Sequence, residues 1–106
     1  MVDMLGFAAL ADPTRRRIVE MLATRELPAG EIARRFDMTA PAVSQHLKLL
    51  REAGLVQVRR DAQRRIYALQ PLGLAELDEW LARFRRFWDG RLDALERERD
   101  GDSSLT

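Results

Sequence analysis

At Gly54 the hydrophobic period of the chain changes, and this change leaves few folds open to it. Before it, Val43, Leu47 and Leu50 recur at three and four residues. After it, Leu55-Val56-Gln57-Val58 and Arg65-Ile66-Tyr67-Ala68-Leu69 alternate. The first spacing buries one stripe of a helix, and the second buries one face of a strand. A helix therefore closes on Gly54 as its C-cap. A two-stranded hairpin follows, with Asp61-Ala62-Gln63 at its tip. The helix opens at Thr39, a good N-cap, and Pro41 sits in its first turn, where a missing N–H is harmless.

The preceding segment, Gly30 to Phe36, predicts a short helix with Ile32, Ala33 and Phe36 inward, and Asp37-Met38 turns the chain. This is a helix-turn-helix pattern. A small residue (Ala33) lets the second helix cross closely, and the turn calls for a residue that tolerates positive φ (Asp37). Met38, Val43 and Leu47 anchor the inner side. The outer side presents Ala40, Pro41, Ser44, Gln45 and Lys48, with His46 at its flank. Gln pairs with adenine edges, Ser with a base or phosphate, and Ala or Pro with a thymine methyl. With Arg59, Arg60, Arg64 and Arg65 crowding the hairpin, the whole reads as a winged helix whose wing meets the phosphate strand or minor groove.

Further helices flank this unit. Val2 to Ala11 is a short apolar stretch. Asp12-Pro13 reads as an N-cap and first turn, leading into Ile18, Met21 and Leu22, and Arg25-Glu26-Leu27-Pro28 ends that helix. Arg15, Arg16 and Arg17 sit poorly at a helix N-terminus, which calls for a partner such as phosphate or a neighbouring acid, with Glu20 as the competing explanation. From Pro71 to about Arg99 one long helix is expected, striped by Leu74, Leu77, Leu81, Phe84, Trp88, Leu92 and Leu95 and interrupted by Gly90. At roughly 40 Å it overshoots a domain with a radius of gyration near 13 Å. Its far end then needs an outside partner, which favours a second copy over the chain's own core. Phe84, Phe87 and Trp88 fit packing better than an effector pocket.

Composition narrows the chemistry. The chain has 106 residues, no cysteine and one histidine. That removes disulfides, thiolate sites and thiol nucleophiles, and nearly removes zinc and histidine-triad catalysis. No carboxylates cluster in a pocket-forming context, so no acid/base pair can be named and no enzyme, metal or cofactor is expected. No apolar run approaches a membrane span, and the start carries an acid, unlike a secretory signal. The net charge is only +1, but residues 12–65 hold 12 basic and 7 acidic residues and residues 66–106 hold 6 and 9. A basic centre suits nucleic acid and leaves the acidic tail another task.

Asp12-Pro13-Thr14-Arg15, Glu31-Ile32-Ala33, the run Ala42-Val43-Ser44-Gln45-His46-Leu47-Lys48 through Gly54-Leu55-Val56, and the Arg-rich wing ending at Tyr67 resemble the ArsR family of bacterial winged-helix repressors. The last helix, with Phe87-Trp88 and Arg91-Leu92-Asp93, resembles a metal-independent subgroup. The resemblance implies a homodimer paired through its first and last helices, with two recognition helices in successive major grooves roughly 34 Å apart. It also implies promoter occupancy, relieved in many members by a signal. Pro28 and Gly30 stand where arsenic-sensing members carry cysteines, the last helix has no histidine, and Ala62 replaces the usual wing glycine.

The expectations are these. The fold is mainly α with a small β-hairpin, one winged helix-turn-helix domain over residues 1–100 with a disordered polar tail at 101–106. The protein is expected to be a cytoplasmic, sequence-specific regulator that binds double-stranded DNA, a homodimeric repressor on an inverted-repeat operator, with room for a small-molecule or protein effector. DNA contacts come from Thr39, Ala40, Pro41, Ser44, Gln45, His46, Lys48, Arg59, Arg60, Arg64 and Arg65. The dimer interface comprises Leu5, Leu74, Leu77, Leu81, Phe84, Trp88 and Leu92. His46 stands between a phosphate contact and a packing role beside the wing. The alternative, a winged-helix protein-interaction module, would want an apolar or acidic recognition face, and this one is polar to basic.

Overall fold

Two helices begin where short polar side chains close them. Asp12 accepts a hydrogen bond from the Arg15 backbone N–H at 3.0 Å and starts helix α2, Pro13–Thr24. The Thr39 hydroxyl accepts from the Ala42 N–H at 3.2 Å and starts α4, Ala40–Glu52. Each cap satisfies a backbone donor that the helix leaves orphaned. Gly54, at φ +77°, carries the chain out of α4 in the left-handed region that glycine enters without steric cost.

The computed structural model describes residues 5–105; residues 1–4, with the start of the helix expected from Val2, and residue 106, the end of the expected tail, lie outside them. The remaining elements are α1 (Leu5–Leu10), β1 (Leu27–Pro28), α3 (Ala29–Arg34), β2 (Val56–Asp61), β3 (Arg64–Leu69), α5 (Pro71–Ala82) and α6 (Arg85–Leu105). The core lies where α2, α3 and α4 meet one face of the sheet. Ile18, Ile32, Leu47, Leu50 and Leu55 are fully buried there. Each such side chain contributes about 1.5–3 kcal/mol on leaving water.

Four features depart from the sequence reading. The sheet has three strands in the order β1-β3-β2, because Leu27-Pro28 pairs antiparallel with Tyr67 and Ile66 instead of only ending a helix. Pro28, which lacks a donor, is tolerated in this strand because it lies at the sheet edge. With neighbours on both sides, β3 buries both Ile66 and Tyr67. Second, the turn between α3 and α4 does not use a positive φ at Asp37; among described non-glycine residues only Ala62 has one. The end of α3 tightens through Arg35 N–H to Ile32 O and Phe36 N–H to Ala33 O instead.

Third, the long final helix is two helices. The break falls at Arg83–Phe84, where the Arg83 N–H bonds Trp80 O at 3.3 Å and the Phe84 N–H bonds Leu81 O at 3.0 Å. Gly90, the expected interruption, lies inside α6. An aromatic row crosses the break: Phe7 meets Trp80 at 5.2 Å between centroids, Trp80 meets Phe84 at 4.7 Å, and Phe84 meets Trp88 at 6.2 Å. Fourth, the backbone of α6 stays helical through Leu105, into the stretch expected as a disordered tail. No proline stands in it to end the hydrogen-bonded turns.

Two close approaches lock α5 onto the body. A Cβ on Gly73 would lie 1.8 Å from the Gly54 carbonyl oxygen, so the first turn of α5 rests directly on the C-cap of α4. A Cβ on Gly6 would meet a Leu77 methyl at 2.9 Å, which sets α1 against α5.

Candidate nucleic-acid interface

The outer side of α4 and the wing bound one open groove. Pro41, Ser44, Gln45, Lys48 and Arg51 line it from the helix, and Arg65 and Tyr67 from β3. Burial of Val43, Leu47 and Leu50 beneath the helix fixes its rotation, so Ala40, Pro41, Ser44, Gln45 and Lys48 are all exposed. Thr39 is exposed beside them and its hydroxyl is committed to the cap. Arg51, absent from the expected contacts, also lines this groove. Tyr67 joins it as well. Its spacing as a buried strand residue concealed that it also borders the recognition helix.

His46 is not beside the wing. It turns toward the start of α2, where the Arg15 guanidinium donates toward His46 Nδ1 at 3.3 Å and Asp12 Oδ2 lies 3.9 Å away. Its position one step around the helix from Gln45 put it at the flank, but only the packing of α4 on α2 shows which neighbour it meets. The same cluster explains the N-terminal arginines. Arg15 Nε donates to Ala9 O at 2.7 Å and Arg16 to Leu10 O at 3.3 Å, so both close the carbonyl end of α1. Neither Glu20 nor a phosphate is needed for those two. Arg17 lies over the Phe36 ring at 4.9 Å. The Arg15 backbone N–H holds the Asp12 carboxyl below its ordinary 3.8; desolvation opposes this and the Arg15 charge adds to it.

The wing is a two-residue hairpin. Asp61 opposes Arg64, and Ala62 and Gln63 form the loop. A positive φ of 58° at Ala62, and not at Gln63, matches the first central position of a type II′ turn, where glycine is favoured. Alternation sorts the arginines. Arg60 and Arg65 oppose each other across the ladder on the face of Val58 and Tyr67. Arg59 and Arg64 point to the other face, where Arg59 pairs with Glu26 and Arg64 with Asp61.

The residues expected at a dimer interface divide. Leu77 is only 8% exposed and belongs to the chain's own core, and Leu74 packs partly against it. Trp88 is half-buried in the aromatic row. Leu5, Leu81, Phe84 and Leu92 are exposed, as are Phe87 and Leu95. Among the described residues no group of three or more His, Asp or Glu side chains could hold a metal ion, and no helix is long and apolar enough to cross a membrane.

A helix-turn-helix whose second helix exposes small and amide side chains beside an arginine-bearing hairpin defines a winged-helix DNA-binding protein. Comparison with known proteins places it further. Residues 12–58 match the model of the arsR family of bacterial regulatory proteins. The chain is 53% identical over 79 residues to the HTH-type transcriptional regulator Rv2034 of Mycobacterium tuberculosis, covering 74% of each protein. It is 35% identical over 78 residues to the transcriptional repressor SdpR of Bacillus subtilis, covering 74% of this chain and 87% of that one. A crystal structure described as a possible transcriptional regulator for arsenical resistance superposes with a TM-score of 0.70 at 42% identity, over 92% of this chain and 97% of that one. The chain belongs to the ArsR family of winged-helix transcriptional regulators, and is a cysteine-free member of it. The family is one of DNA-binding regulators and not of enzymes.

Proposed function

We propose that this protein is a homodimeric repressor that occupies an inverted-repeat operator. The observation that carries the reading is the groove between α4 and the wing. Ser44 and Gln45 stand exposed there with Lys48, and Arg65 faces them. An exposed amide and hydroxyl on a helix of this kind suit base edges in the major groove, and the flanking cations suit phosphates. Repression is the sign carried by the similar transcriptional repressor SdpR.

Dimerisation is supported by the far end of the chain. The radius of gyration is 17.8 Å and the longest extent 57 Å, against roughly 13 Å expected of a compact chain this long. Helix α6 spans 21 residues, about 31 Å. It presents Phe87, Leu92 and Leu95 to solvent at 50–63% exposure. Apolar surface of that kind is characteristic of a protein interface. Leu5 on α1 and Leu81 and Phe84 at the helix break extend the same apolar character. A second copy covers them by two-fold symmetry, and two α4 helices then reach half-sites roughly 34 Å apart.

Selection from a random duplex library by the purified chain, at physiological salt, tests the reading. The expected result is enrichment of one inverted repeat with half-site centres one helical turn apart. A folded dimer that enriches no sequence would overturn it.

A further inference from the structure

The four wing arginines are in two different situations, and the difference predicts which of them meet DNA. Arg59 and Arg64 lie on the face of the wing away from α4 and already have carboxylate partners, Glu26 and Asp61. Arg60 and Arg65 lie on the face toward α4 and have no ion-pair partner among the described residues. Two like charges directly opposed on a ladder destabilise it unless an anion lies between or beside them.

The same face carries two further groups. Arg51 stands one turn along from Lys48, is exposed, and has no ion-pair partner among the described residues. Tyr67 buries its ring in the core at 7% exposure. Its hydroxyl has no hydrogen-bond partner among the described residues, and no unpartnered polar side-chain atom there is buried, so the hydroxyl reaches solvent where Tyr67 borders the groove. A rigidly held phenol O–H beside cations is a suitable donor to a phosphate oxygen.

We infer that the DNA backbone is held by a track of Lys48, Arg51, the Tyr67 hydroxyl, Arg65 and Arg60. Arg59 and Arg64 stay with Glu26 and Asp61, brace the wing, and do not touch DNA. This rests on the DNA-binding reading above and divides its wing contacts. The track is sequence-independent, because phosphates carry the contacts and α4 reads the bases.

The test is a salt titration of the full chain with a labelled 30-base-pair duplex of random sequence. Each phosphate neutralised adds about 0.9 to the slope of log K against log salt. Arg60→Ala with Arg65→Ala lowers that slope by about two per subunit, and Arg51→Ala by about one. Arg59→Ala with Arg64→Ala leaves the slope as in the wild type, because neither residue neutralises a phosphate. Tyr67→Phe keeps the buried ring, so the chain folds; it weakens binding roughly fivefold, the worth of one net hydrogen bond, without changing the slope. Equal slope losses in the two arginine pairs would overturn the division. A Tyr67→Phe chain of wild-type affinity together with an Arg51→Ala chain of wild-type slope would overturn the track. A wild-type chain that binds no duplex at any salt would overturn the DNA-binding reading itself and this inference with it, which is distinct from a binding chain whose variants behave alike.

Discussion

The body of the molecule, α2 through β3, and the last helix, α6, differ in how far their own chain covers their apolar residues. In the body Ile18, Ile32, Leu47, Leu50 and Leu55 are fully enclosed by their own chain. Along α6 the apolar residues Phe87, Leu92 and Leu95 are exposed, and Arg91 lies over the Phe87 ring at 4.2 Å. The same kind of periodic leucine pattern runs through both. Periodicity therefore identifies a buried stripe without saying who buries it. Length and reach decide that: α4 is short enough to stay over its sheet, whereas α6 extends beyond anything its own chain offers.

The largest expected effect is in the body. Leu50→Ala should lower the unfolding free energy by about 2–5 kcal/mol, since it removes a fully buried side chain. Denaturant unfolding checks this, and the loss should be the same at every protein concentration. Leu81→Glu with Leu92→Glu, both exposed in the single chain, should behave oppositely. Light scattering should show the mass halved, and any loss of stability should fade on dilution, because it is linked to association. A double variant that stays dimeric, or a loss that ignores concentration, would erase the distinction between the two regions. A smaller effect sharpens it within the body. Ala62→Gly at the wing tip relieves a left-handed backbone of about 1–2 kcal/mol, offset in part by glycine's greater entropy when unfolded. A net gain of about 0.5 kcal/mol in thermal unfolding is expected. A net loss would mean that Ala62 sits there without strain.

What could be read ahead of the structure was local. The Asp12 and Thr39 caps, the Gly54 exit and the alternating hairpin each depend on neighbours within a few residues, and the structure contains all of them. What escaped is non-local. Strand β1 is two residues long and exists through its pairing with β3 some forty positions later. Gly73 is small because the Gly54 carbonyl lies against it, which no spacing announces. Arg15 and Arg16 looked misplaced at the start of α2 until α1 turned back to offer its carbonyls. The groove followed the same rule. Ser44, Gln45 and Lys48 were legible from one helix face, whereas the presence of Arg51 and Tyr67 required the helix and the wing to be seen together.

The central claim is that α4 reads bases from this groove while the cations around it hold the backbone. Its most direct test is the affinity of a Ser44→Ala, Gln45→Ala chain for the selected repeat and for a scrambled duplex of equal length. With each good base contact worth about 1–3 kcal/mol, discrimination between the two duplexes should collapse toward unity while binding to the scrambled duplex keeps its wild-type affinity and salt slope. A variant that still prefers the repeat as strongly as the wild type would contradict the claim.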